Sequence, residues 1–153
     1  MKTILVPVDF SGSTARVCAA AQAFAQLSNS RLLLLHVVQP PAPVYYDFNA
    51  FDAGQLAGAQ EAGEKYSDRQ LAALARRWQK PGKPVRTARI TGQAARAIAK
   101  YAVTAKAAYI VMGSHGHGAV YDLFVGSTTQ GVLKQASCPV LVIPISAVKP
   151  GKR

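Results

Sequence analysis

Two short stretches of this 153-residue chain combine residue types suited to holding a phosphate. The first is Gly113-Ser114-His115-Gly116, whose glycines remove side chains where a backbone can approach a ligand. The second is Gly126-Ser127-Thr128-Thr129, which opens a helical pattern running to about Ala136. The unpaired amides of a helix's first turn and the macrodipole behind them favour an anion, and three consecutive hydroxyls add donors. A purely structural reading fits the same residues: the glycines make turns and Ser127 caps the helix. Asp9 supplies a carboxylate at the end of the apolar run Ile4 to Val8. It suits a sugar hydroxyl, or the capping of the helix that follows.

Other chemistries find less support. No G-x-x-x-x-G-K-[ST] occurs, and Gly116-His117-Gly118-Ala119-Val120-Tyr121 lacks the third small residue of a dinucleotide fingerprint. His115 and His117 are one residue apart with no evident third ligand, so a zinc site is not expected. His36 lies inside an apolar run and reads as a hydrogen-bonded core residue. A slow ATPase remains the enzymatic alternative, with His115, His117 and Asp122 as candidates by position alone and no catalytic residue assigned. Cys18 and Cys138 show neither C-x-x-C nor metal-ligand spacing and are expected to be reduced and structural.

Composition narrows the partners. The formal charge of +11, from 18 Lys plus Arg against 7 Asp plus Glu, favours anionic partners without saying which. The bases are scattered along the chain, with denser groups at Arg76, Arg77, Lys80 and Lys83 and in the tail at Lys149, Lys152 and Arg153. With no interleaved aromatics and no nucleic-acid motif, they read as a solvated surface rather than a nucleic-acid groove. The opening residues lack the pattern of a signal peptide, and apolar runs fall short of the roughly 18 to 20 residues that a membrane helix needs. A cytoplasmic protein with no membrane contact is expected.

The elements that must position the candidate residues alternate between strand and helix, which predicts a single α/β domain with an open parallel sheet and helices on both faces. Strands are predicted over Thr3–Val8, Arg31–Val38, Val85–Ile90, Ala108–Met112 and Pro139–Pro144. The continuous apolar character of Arg31–Val38 predicts a central strand buried on both faces, and the alternation of Val85–Ile90 a sheet edge. Helices are predicted from Ser13 to Leu27, with Ser11 or Ser13 capping and Asn29 closing, and from Asp52 to Gln79. In the latter Gly54, Gly58 and Gly63 weaken the first half, which can fray or stay in the loop. Two further helices follow Gly92 and Gly126. The proline-rich Gln39–Phe48 forms a long connection; its Tyr45, Tyr46 and Phe48, with Tyr121, either close the core or line a pocket. The domain is expected over 1–146, followed by a loose basic tail over 147–153. In such a sheet, ligands bind outside the carboxyl ends of the strands where the strand order reverses. The candidate residues follow the first and fourth strands.

In order along the chain, four stretches resemble the universal stress protein family. They are Ile4–Ser11, Leu35-His36-Val37, Ile110–Gly116 and Cys138–Pro144; Gly113-x-x-Gly116, nine residues and Gly126-Ser127 resemble its G-2x-G-9x-G-[ST] nucleotide motif. The resemblance implies a five-stranded parallel sheet of order 3-2-1-4-5, the adenine nucleotide alpha hydrolase-like arrangement, and an ATP-binding regulatory protein. It implies adenine near the backbone of Val37 and ribose near Asp9, with Pro7, Val8, Met112 and Gly113 beside it. Phosphates would lie near Gly116, Gly126, Ser127 and Thr128, with His115, His117 and Thr129 alongside. ATP is the implied ligand, or ADP or AMP, with Mg²⁺ as a companion ion. His117 stands where many relatives carry Arg, which predicts weaker or pH-dependent phosphate affinity. Asp122 either repels a γ-phosphate or helps hold Mg²⁺. A homodimer through the apolar edge strand Val140–Ile143 and an unidentified regulatory partner protein are implied as well. A nucleotide-independent interaction module is the non-enzymatic alternative.

Overall fold

The computed structural model describes residues 1–40, 53–114 and 125–145. Five strands alternate with four helices: β1 (Lys2–Pro7), α1 (Thr14–Leu27), β2 (Ser30–Val38), α2 (Ala53–Trp78), β3 (Arg86–Thr91), α3 (Ala94–Thr104), β4 (Tyr109–Gly113), α4 (Ser127–Gln135) and β5 (Val140–Ile143). They form one sheet of order β3-β2-β1-β4-β5 in which every pairing is parallel, as expected. β3 is an edge, and β2 lies inside the sheet while β1 holds its middle.

Alternation along the strands divides the core in two. Ile4, Val6, Val8, Leu32, Leu34 and Val111 face α1 and Leu71 of α2. Leu5, Leu33, Leu35, Ile110 and Met112 face Ala95, Ile98 and Ala102 of α3 and Val132 of α4. Side chains that are apolar at both parities, as in Leu32–Leu35, are what a strand covered on both faces requires. Cys18 lies within the first cluster, and burial pushes its thiol up to about 11, so it stays protonated at neutral pH.

Two local expectations need correction. The hydroxyl of Ser13 bonds that of Ser11 at 2.7 Å and caps no amide of α1; the turn is instead closed by the Thr14 amide donating to the Ser11 carbonyl at 3.1 Å. α2 is helical from Ala53, so its glycine-bearing half is not loop. Gly58 and Gly63 have open space around them. Each costs about 1 kcal/mol of helix propensity, which the continuous helix tolerates. Asn29 closes α1 as expected, with φ of 47° in the left-handed region asparagine tolerates.

α3 and α4 pack closely because Gly131 of α4 presents no side chain to α3. A methyl group there would lie 2.5 Å from the Ala95 methyl. Gly131→Ala is therefore expected to lower stability by up to about 2 kcal/mol, overpacking outweighing the ~1 kcal/mol that alanine gains in a helix. Urea unfolding of Gly131→Ala, Ala95→Gly and the double variant checks this, since the pair should cost less together than the sum of each alone. An unchanged midpoint for Gly131→Ala would contradict it.

Candidate functional site

The strand order reverses between β1 and β4. α1, which follows β1, covers one face of the sheet, and α4, which follows β4, covers the other. A crevice between the carboxyl ends of these strands is the consequence, with the Asp9 corner on one side and the Gly113 corner on the other.

On the β1 side, Pro7 ends the strand and the Val8 amide continues its pairing by donating to Leu35 at 2.8 Å. Asp9 then takes the Ser11 amide on Oδ1 at 3.0 Å and the Thr14 hydroxyl at 3.4 Å. This Asx-type arrangement organises the turn that leads into α1. Phe10 has φ of 59°, a left-handed conformation rare for an aromatic residue. Its ring stacks on His36 with centroids 4.3 Å apart and meets Tyr66 edge-on at 6.3 Å. His36 is half-buried, and its Nδ1 lies 2.8 Å from the Val8 carbonyl, so that nitrogen carries the proton. The histidine thus holds the corner from the neighbouring strand. Val37, one residue on, pairs with Ile90 and packs against the α3 and α4 side of the core.

On the β4 side, Met112 is 5% exposed and belongs to the core, which leaves its backbone as the part near the edge. Gly113 and Ser114 are tied to the start of α4 twice. The Thr129 hydroxyl donates to the Gly113 carbonyl at 2.8 Å, and the Gly126 amide donates to the Ser114 carbonyl at 2.7 Å. Ser114 is also fixed to β5, donating its amide to Ile143 at 2.8 Å and accepting the Ile145 amide on Oγ at 3.1 Å.

These bonds bring the Gly113 turn and the Gly126 helix start together. Gly126 is the N-cap, and the first helical bond runs from the Gln130 amide to its carbonyl. The amides of Ser127, Thr128 and Thr129 consequently have no intrahelical acceptor. No acidic residue occupies this first turn, so no carboxylate of the helix itself neutralises the positive end of the macrodipole. Ser127 is exposed, Thr128 half-buried and Thr129 3% exposed. Two neighbouring hydroxyls can face a ligand, whereas the third serves the internal bond. The expected residues His115, Gly116 and His117 lie outside the described residues, as do Asp122, Tyr45, Tyr46, Phe48 and Tyr121.

Phe10 and Ser114 are positioning residues that the sequence did not single out. The left-handed turn of Phe10 leaves no mark in sequence, and Ser114 differs from any loop serine only through its bonds.

A parallel α/β sheet with this crevice defines a class of fold that binds ligands at its carboxyl edge. The model of the universal stress protein family matches residues 1–144, and the chain belongs to that family. A universal stress protein of Thermus aquaticus is 38% identical over 143 residues, covering 93% of this chain and 98% of that protein. Among solved structures, the universal stress protein UspA of Lactobacillus plantarum has a TM-score of 0.71 at 31% identity, covering 93% of this chain and 97% of that one. MJ0577 of Methanocaldococcus jannaschii has a TM-score of 0.77 at 24% identity, covering 93% and 94%. Two further structures of this fold are a universal stress protein in complex with cAMP (TM-score 0.67, 22% identity, covering 95% and 98%) and one from Archaeoglobus fulgidus in complex with dAMP (TM-score 0.62, 20% identity, covering 94% and 98%).

Thr129→Val keeps the shape of the side chain but leaves the Gly113 carbonyl without its donor. It is expected to cost about 1–2 kcal/mol in urea unfolding, and Thr129→Ser clearly less. Equal losses from the two would assign the role to methyl packing instead.

Proposed function

We propose that the chain is an adenine-nucleotide-binding regulatory protein, holding ATP, ADP or AMP in the crevice between β1 and β4. The observation that carries this reading is the contact between Gly126 and Ser114, reinforced by Thr129 and Gly113, which sets three amides without helical acceptors at the carboxyl edge. The cAMP and dAMP complexes of proteins sharing the fold support an adenine nucleotide as the ligand class.

The residues present fit such a ligand. The amides of Ser127, Thr128 and Thr129 and the Ser127 and Thr128 hydroxyls would receive phosphate oxygens beside Gly113, and His115, Gly116 and His117, outside the described residues, would contribute through the nucleotide motif they belong to. Asp9 would accept a ribose hydroxyl, flanked by Pro7, Val8 and the Met112 backbone, and the Val37 backbone would meet the adenine edge. Mg²⁺ would accompany a triphosphate. The bound nucleotide supplies differential binding between conformations or assemblies, which a partner protein in the cytoplasm then reads.

A nucleotide at about 100 times its Kd adds roughly 2.7 kcal/mol of stability. ATP, ADP or AMP with Mg²⁺ should therefore raise Tm by several degrees in a thermal-shift titration, and no response to any of them would sink the proposal. Ser127→Asp separates ligand from fold. A carboxylate at the first helical position suits the macrodipole and should leave the free protein's Tm unchanged or higher, while repelling phosphate and weakening ATP binding at least tenfold. Undiminished binding in calorimetry would place the phosphate elsewhere.

We also propose a homodimer through β5. It is an edge strand in the described sheet, and Leu141 at its middle is 40% exposed. An apolar edge of this kind invites pairing with a second copy. Light scattering at micromolar concentration should give twice the mass of the chain; a monomer there would contradict the pairing.

A further inference from the structure

Bases that look scattered along the sequence gather in the fold at the amino edge of the sheet, opposite the crevice. Parallel strands all begin at this edge and the return helices all end there. Four cations at it are held by neutral partners. Lys2 lies over the Tyr109 ring at 5.8 Å and Arg77 over the Trp78 ring at 5.5 Å. Arg31 donates to the Thr3 hydroxyl at 3.2 Å and Lys83 to the Asn29 side chain at 3.3 Å. A second four, Arg76, Lys80, Lys106 and Lys134, are exposed in or just beyond the last turns of the helices. Among the described residues none of these eight pairs with a carboxylate.

The described acids lie away from this edge. Asp9 follows β1 at the opposite end, Glu61 pairs with Lys65, and Glu64 and Asp68 pair with Arg89. Asp68 is the nearest of the α2 acids to that helix's end, yet about 15 Å along the axis from Trp78. Helix dipoles do not account for the cations. Four C-termini present roughly half a negative charge each, about two in all, against eight positive charges.

From this segregation we infer that the amino edge docks an acidic, partly apolar segment of a partner protein. Exposed apolar side chains lie on the same edge: Met1 at 67%, Leu27 at 88% and Val103 at 60%. Apolar contacts ringed by cations suit a peptide carrying Asp or Glu with Leu or a similar residue. The carbonyls at the four helix ends complement a peptide's N–H groups, whereas a nucleic-acid backbone offers mainly phosphate acceptors. The Tyr109 and Trp78 rings each have a cation over one face and are packed, half-buried, against the core, which disfavours base stacking. This inference does not depend on nucleotide binding.

Fluorescence anisotropy with the full chain and a labelled peptide of repeated Glu-Glu-Leu units tests it. Saturable binding is expected, weakening with added salt and absent for a Gln-Gln-Leu peptide. The triple variant Lys2→Glu, Arg76→Glu, Lys80→Glu should lose about tenfold or more in affinity, and Lys2→Gln, Arg76→Gln, Lys80→Gln an intermediate amount. The control pair Arg69→Glu, Arg96→Glu, about 12–14 Å along their helix axes from the amino edge, should stay within about twofold of the parent. The triple variants should keep the parent's thermal response to ATP, whether positive or nil. Absence of peptide binding, equal losses in the triple and control variants, or tighter binding of a DNA duplex or phosphatidylserine vesicles than of the acidic peptide would overturn the inference.

Discussion

The reversal of strand order at β1 is the constraint on which the rest of the structure depends. A parallel neighbour is reached through a crossover, and crossovers of one hand place their helices according to the direction in which the chain moves across the sheet. From β1 to β3 the chain moves one way, so α1 and α2 share a face. From β3 through β4 to β5 it moves the other way, and α3 and α4 cover the opposite face. Only beside β1 do successive connections part to opposite faces, and the crevice follows from that. The full burial of Ile4, Leu5 and Val6 shows how firmly the middle strand is gripped.

Much of the polar chemistry around this crevice is committed to the fold before any ligand arrives. Asp9 organises Ser11 and Thr14, Ser114 ties β4 to β5 and α4, and Thr129 anchors the first turn of its helix. Groups that are ordered on folding need not be ordered again on binding, which reduces the entropic cost of association. Phe10 belongs to the same scheme. Its left-handed backbone is held by the stack on His36, whose other contact is the Val8 carbonyl, so two adjacent strands together set where Asp9 stands.

The architecture was legible because its signals are local and repeated. Leu32–Leu35 is apolar at both parities, glycine and proline punctuate the connections, and the residues after the first and fourth strands carry the unusual chemistry. Spatial relations were less accessible. Ser127, Thr128 and Thr129 read alike as consecutive hydroxyls, yet helical rotation turns the first to solvent and the third into the core. The glycines of α2 read as breaks, but isolated glycines on an exposed helix carry only a propensity cost, without an interior packing demand. The segregation of charge was hidden for a topological reason. Lys2, Arg31, Lys83 and Lys106 are far apart in sequence and share an edge only because parallel strands begin together.

The two edges of the sheet would therefore recognise anions by different physics. At the carboxyl edge the helices present their N-termini, and an anion would be held by backbone amides fixed through Gly126, Ser114, Gly113 and Thr129. Such binding depends on geometry and tolerates little displacement. At the amino edge the helices present carbonyls, which by themselves repel anions, and positive potential there comes from long side chains that outnumber the helix-end charge. Their field is diffuse and subject to salt screening. A single parallel topology would thus keep a shaped anion site and a steering surface at opposite ends of one core, so that altering the charge of one would leave the bonds that build the other intact.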